Sequence, residues 1–103
     1  MVTYFQQKVY SLCEQIPKGK VSTYGELARA LNSSPRAVGQ ALKCNPFAPK
    51  VPCHRVVSAD GRIGGFMGQM KGKAIEKKIV LLKSEGVIVS SDGILDLRLV
   101  HWF

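Results

Sequence analysis

Residues 50–57 read KVPCHRVV and set a cysteine and a histidine side by side, between a proline and an arginine. A thiolate is a strong nucleophile, but a free cysteine with a pKa of about 8.5 is only a few per cent ionised at neutral pH. Histidine is the usual base that takes the proton. Adjacency is an awkward way to pair the two, because neighbours on a strand point to opposite faces and neighbours on a helix diverge by about 100°. Cys53 and His54 therefore cooperate only if the backbone turns sharply, for which Pro52 is suited, or if a water bridges them. The histidine also needs an orienting partner, normally a carboxylate. The pattern singles out none of the seven acids. On these residues alone, the favoured reading is a structural cysteine beside a satisfied histidine.

The rest of the chain narrows the chemistry. At 103 residues it suits one small domain, read as spanning 1–103 with no linker or internal repeat. Cys13, Cys44 and Cys53 are the only cysteines, too few and odd in number for a disulfide framework. No pair has C-x-x-C spacing and only His54 and His101 could assist, so no metal site is expected. No run of apolar residues is long enough to span a membrane, and the N-terminus does not read as a signal peptide. A location in the cytoplasm, or the nucleus of a eukaryote, is expected, with no membrane partner and a monomeric state. Fifteen Lys and Arg against seven Asp and Glu give a net charge of +8. Such a balance suits nucleic acid, through neutralised phosphates and released counterions; a lysine-rich solubilising surface accounts for it about as well.

The elements that must position Cys53 are mostly helical. Phe5, Val9, Leu12, Cys13 and Ile16 form one apolar stripe over residues 3–16, which places Cys13 in the core. STYGELARAL begins a second helix, with Thr23 and Glu26 at capping-box spacing. NSSPRAVGQALKCN follows, with Ser34 as N-cap and Pro35 at the first helical position. Val38, Leu42, Ala37 and Ala41 share its apolar side, and Arg36, Gly39, Gln40 and Lys43 the other. Two short helices with a tight turn, the second basic on one face, form a helix-turn-helix pattern or an ordinary helical hairpin. Cys44, just beyond, reads as buried packing rather than as an accessible thiol. A further helix in KGKAIEKKIVLLKSEG turns Ile75, Ile79 and Leu82 inward and its lysines outward, and Gly86 ends it. VIVSSDGILDLRLV has two apolar runs around Asp92-Gly93, a hairpin signal. The expected fold is mainly α with a small β element, a single winged helix-turn-helix-like domain.

Five segments, in order, are similar to those of the O6-alkylguanine-DNA alkyltransferases: GKVSTYGELA, PRAVGQAL, NPFAPKVPCHRVV, DGRIGGFMG and LLKSEG. They span roughly residues 5 to 88, so the chain resembles the C-terminal DNA-binding and active-site domain of that family, without an N-terminal domain. The resemblance implies DNA repair on double-stranded DNA containing O6-alkylguanine. The guanine is flipped from the duplex and its alkyl group passes irreversibly to the protein, once per molecule and without a cofactor. It implies that Cys53 is the acceptor, that His54 is the base acting through a water, that Glu85 orients His54, and that Asn45 braces the turn carrying the cysteine. Asn45 also reads simply as an Asn-Pro turn former. Arg36 matches the residue that fills the space of the flipped base, and Tyr24 one that presses on the 3′ phosphate. Ser34, Ala37 and Gly39 suit a helix lying close in the minor groove, where Gln40 is bulkier than expected. Pro52, Gly64, Phe66 and Met67 would line the substrate pocket.

Two departures matter. Phe66 and Met67 stand where the family usually has Tyr-Ser, so a hydroxyl that polarises the guanine oxygen is missing. Losing such a donor in a dry site lowers a rate by about one to three orders of magnitude. The pliable Met67 implies tolerance of larger adducts, testable by methyl against benzyl transfer before and after Met67→Ser. The small size is also that of the alkyltransferase-like proteins, which bind the lesion without repairing it and replace the cysteine. A damage-recognition protein that transfers poorly is thus the alternative, and Cys53 favours the enzyme. A winged-helix regulator of intact DNA is a third, weaker reading.

Overall fold

The computed structural model describes residues 2–46, 50–64, 72–90 and 100–103. Its first helix, α1, runs Tyr4–Gln15. Thr3 begins it with a reciprocal capping box: its hydroxyl accepts from the Gln6 N–H at 3.1 Å, and the Gln6 side chain accepts from the Thr3 N–H at 2.9 Å. The T-x-x-Q spacing carried that signal and the sequence reading passed over it. Val9, Cys13 and Ile16 of the expected stripe are buried, with Phe5 and Leu12 at its margin.

The α2 helix (Tyr24–Leu31) and the α3 helix (Pro35–Lys43) pack together and against α1. Thr23 caps α2 by accepting from the Glu26 N–H at 3.0 Å. The expected return bond is absent, because the Glu26 carboxylate instead binds Arg29 and the Phe103 N–H. Asn32 takes the left-handed conformation, φ 53°, that closes α2. Two residues later Ser34 caps α3, its hydroxyl accepting from the Ala37 N–H at 3.1 Å, with Pro35 at the first helical position. Val38, Ala41 and Leu42 are buried as expected, and the Tyr10 hydroxyl ties α1 to α3 through the Ala41 carbonyl at 2.7 Å. The helix-turn-helix is therefore built by local caps and docked on α1.

The β element is a parallel pair, β1 (Ser22–Thr23) and β2 (Val56–Val57), in register Ser22 with Val56 and Thr23 with Val57. Strands of two residues carry no readable alternation, so the sequence did not disclose them. Val100 bridges Val21, and the His101 N–H donates to the Val21 carbonyl at 2.6 Å. The hairpin expected around Asp92-Gly93 falls at 91–99, outside the described residues. The last helix, α4 (Lys73–Ser84), ends as expected: Gly86 has φ 88°, and the N–H groups of Gly86 and Val87 bond back to Lys83 and Leu82.

Two expectations are corrected. Cys44 is exposed, because it caps the end of α3 rather than continuing its apolar side. The lysines of α4 do not all face solvent: Lys78 has no exposed surface at all. It falls three residues after Ile75 and four before Leu82, on the apolar stripe itself. The result is a mainly helical domain with a two-strand sheet. Among the described residues no helix is long and apolar enough to cross a membrane.

Candidate active site

The backbone turns at Pro52 as the Cys-His adjacency requires. Pro52 has φ −81° and ψ 67°, and the Cys53 N–H donates to the Val51 carbonyl at 2.8 Å, which is an inverse γ-turn. A 3-10 turn over Cys53–Arg55 follows at once, closed by the Arg55 N–H on the Pro52 carbonyl at 3.0 Å. The turn runs directly into β2, whose partner β1 runs directly into Tyr24. The thiol and the start of the helix-turn-helix are thus two ends of one short sheet.

Cys53 and His54 are both buried, 6 % and 3 % exposed. Burial pushes the Cys53 thiol up, and a hydrogen bond from the Asn45 side chain and the charge of Lys78 pull against it. The net shift is upward, so the resting site holds a protonated thiol. Asn45 also braces the turn, its Nδ2 donating to the Val51 carbonyl at 3.1 Å. Burial lowers the His54 pKa, opposed by Glu85, so the imidazole rests neutral and able to accept a proton.

Glu85 closes the site from the end of α4. Its Oε1 lies 3.1 Å from His54 Nε2, although the approach lacks the alignment of a hydrogen bond and Nε2 has no other partner. Arg55 holds the same carboxylate with two bonds, Nε to Oε1 at 2.9 Å and Nη2 to Oε2 at 2.6 Å. That bidentate grip keeps Glu85 ionised and well below the usual carboxylate range, with His54 adding to the effect. Arg55 Nη1 reaches on to the Ile16 carbonyl at 2.9 Å, anchoring the turn to the end of α1. Glu85 thus lies in place to balance charge on His54.

Lys78 enters from the same helix. Its Nζ donates to the Val56 carbonyl at 2.7 Å and the Ile63 carbonyl at 2.6 Å, and lies 5.9 Å from the centre of the Tyr24 ring. Neither Lys78 nor Arg55 was foreseen as part of the site. Arg55 stood inside the motif, and Lys78 stood on an apolar stripe where a charge needs a reason.

The other expected residues divide by location. Tyr24 is half-buried and Gly64 packs on it: with φ 73°, a Cβ there would lie 3.0 Å from the Tyr24 ring and from the Ser58 hydroxyl. Pro52 is buried beside the thiol. Ser34, Arg36 and Gln40 are exposed along α3, with Ala37 and Gly39 half-buried. No atom lies within 4 Å of a Cβ built on Gly39, so that face is open. Phe66 and Met67 lie outside the described residues. An apolar cleft of about 300 Å³ is lined by Thr23, Gly25, Glu26, Ala59, Val100 and Trp102. It includes neither Cys53 nor His54.

Residues 4–87 match the family described as 6-O-methylguanine DNA methyltransferase, DNA binding domain. A methylated-DNA–protein-cysteine methyltransferase of Thermococcus kodakarensis is 53% identical over 87 residues, covering 84% of this chain and 47% of that protein. The crystal structure of O6-methylguanine-DNA methyltransferase from Pyrococcus kodakaraensis superposes with a TM-score of 0.73 at 52% identity, over 84% of this chain and 48% of that one. The S. pombe Atl1 protein, in complex with damaged DNA containing O6-carboxymethylguanine, superposes with a TM-score of 0.78 at 35% identity, over 96% of this chain and 94% of that one. The chain spans about half the length of the methyltransferases it matches. The match identifies the DNA-binding domain and does not carry the expectation that this domain is the C-terminal half of the longer proteins.

Proposed function

The chain belongs to the 6-O-methylguanine DNA methyltransferase family through its DNA-binding domain, and from that premise we propose that it repairs O6-alkylguanine in duplex DNA by moving the alkyl group to Cys53. The single observation that carries this reading is the thiol turn itself. A buried cysteine, a neutral histidine and an arginine-held carboxylate are gathered from two distant segments.

The chemistry follows from the resting states. His54 accepts the thiol proton through a water, and Glu85 balances the imidazolium formed. The thiolate attacks the alkyl carbon; an S–C bond forms, the C–O6 bond breaks, and guanine leaves with the electron pair and takes up a proton. The thioether formed is stable, so each molecule reacts once and no cofactor takes part. Because burial holds the resting thiol protonated, stray electrophiles react slowly and a guanine presented in the site reacts preferentially. The nucleotide is delivered from the α2–α3 face. Arg36 fills the base's former place, Tyr24 presses on the phosphate, and Ser34, Ala37, Gly39 and Gln40 lie along the minor groove. Unstacking costs a few kcal/mol, least for a damaged pair, and the +8 charge offsets it. Transfer of one alkyl group from O6-methylguanine duplex, followed by intact-protein mass, tests the proposal.

A second reading is a recognition protein that flips the lesion and transfers poorly. The superposition on Atl1 over nearly all of both chains favours it. Selective lesion binding without a mass gain would select it.

A further inference from the structure

We propose that residues 100–103 extend the DNA-binding face and present the Trp102 indole to the strand of duplex DNA that passes the start of α2. The proposal rests on the reading of α2–α3 as the face that meets DNA.

The segment is fastened to the domain on both sides of Trp102. Val100 bridges Val21, just before β1. The His101 N–H donates to the Val21 carbonyl at 2.6 Å, and the His101 carbonyl accepts from the Ser22 hydroxyl at 3.0 Å. Beyond Trp102, the Phe103 N–H donates to Glu26 Oε1 at 2.9 Å, and a main-chain oxygen of Phe103 accepts from Arg29 Nη2 at 2.5 Å. The Glu26 carboxylate is buried and is itself held by Arg29 Nε at 3.1 Å, so this anchor is charge-assisted.

The side chains alternate as in an extended segment. His101 and Phe103 share one side, with their rings edge to face at 4.9 Å, and Phe103 packs on the core. Trp102 turns the other way and is 68 % exposed. A single exposed apolar side chain is ordinary. This one differs in being held in place: it lines the apolar cleft with Thr23, Gly25 and Ala59, on a backbone tied at both neighbours. A contact made there costs little further ordering.

The position of the cleft identifies its occupant. Thr23 and Gly25 flank Tyr24 at the start of the first helix of the helix-turn-helix, so the cleft is continuous with the DNA-binding face. Ala59 lies in the turn after β2, which also carries the exposed Arg62. The net charge of +8 draws a phosphate backbone to the protein. An indole suits such a strand, because every base offers an aromatic face whatever the sequence. Trp102 therefore contributes affinity for duplex that is independent of the lesion.

Trp102 is the only tryptophan, so the intrinsic fluorescence of the unaltered full chain reads this site directly. The chain is titrated with unlabelled duplex, undamaged or carrying one O6-methylguanine, and binding is measured separately by the anisotropy of fluorescein-labelled copies. DNA should quench the emission and shield it from acrylamide in step with the anisotropy. Trp102→Ala should weaken binding to both duplexes alike, by about tenfold, and Trp102→Phe should restore most of the loss. Saturated binding with emission and acrylamide quenching unchanged overturns the proposal, as does full affinity in Trp102→Ala. Should Trp102→Ala fail to fold, the titration of the unaltered chain decides alone. A chain that binds neither duplex overturns the proposal together with the reading of α2–α3, and a flat anisotropy marks that case. No readout needs alkyl transfer, so failure of the acceptor reading leaves the test intact.

Discussion

Cys53 and His54 are almost closed to solvent, and their partners arrive from Asn45, Lys78 and Glu85, up to 32 positions along the chain. Arg36 and Gln40 of α3 stand in solvent, and what places them is local: Asn32 turning left-handed, Ser34 capping, Pro35 starting the helix. The thiol region obtains its chemistry from exclusion of water and from convergence of distant charges. The α2–α3 region instead presents shape and accessible charge. β1 and β2 join the two, since one end of the pair is the thiol turn and the other is Tyr24. The contrast teaches that a substitution in the first region should disturb stability and chemistry together, whereas one in the second should disturb DNA binding or a local cap and leave the thiol's chemistry in place.

Glu85→Gln is the harshest test of that contrast short of removing the cysteine. It takes the charge from a bidentate pair and from His54. We expect transfer to slow by about 100-fold and stability to fall by about 3 kcal/mol, measured by single-turnover mass kinetics and urea unfolding. A transfer defect with undiminished stability would break the claim that the two are linked there. Arg36→Ala should weaken binding to lesion duplex by about 10- to 100-fold, the scale of a lost stacking contact, while unfolding shifts by no more than about 0.5 kcal/mol.

Acid sharpens the comparison further. His54 and Glu85 are both held below their ordinary values, 6.5 and 4.5. For each, the unfolded chain takes the proton first, so the stabilisation is full above the ordinary value and is lost as pH falls below it. The His54 contribution should therefore decline below about 6.5 and the Glu85 contribution below about 4.5. Urea midpoints against pH check this, and Glu85→Gln should remove the lower step. The smallest effect is Ser34→Ala, about 1 kcal/mol from the lost cap, read in the same urea midpoints.

These same regions explain what could be read beforehand. The helix-turn-helix was legible because its determinants are neighbours: Thr23 and Ser34 cap, Pro35 starts, and the apolar side of α3 recurs at helical spacing. The thiol turn was legible only in part. Pro52 announced a sharp turn, but nothing near Cys53 pointed to Glu85, which came from resemblance to a family. Lys78 was misjudged because lysine is a surface residue by habit, although its place between Ile75 and Leu82 marked it as inward. The strand pair escaped because two residues establish no period, and Cys44 because one residue past the end of α3 the apolar side no longer continues.

The most direct test of the central claim is intact-protein mass after mixing with duplex DNA carrying one O6-methylguanine, beside a Cys53→Ala control. The account predicts the gain of one methyl group on the unsubstituted chain, mapped to Cys53, and none on the control, with both binding the lesion. No gain on either, with tight lesion binding retained, would contradict the assignment of Cys53 as acceptor and leave a protein that recognises damage without repairing it.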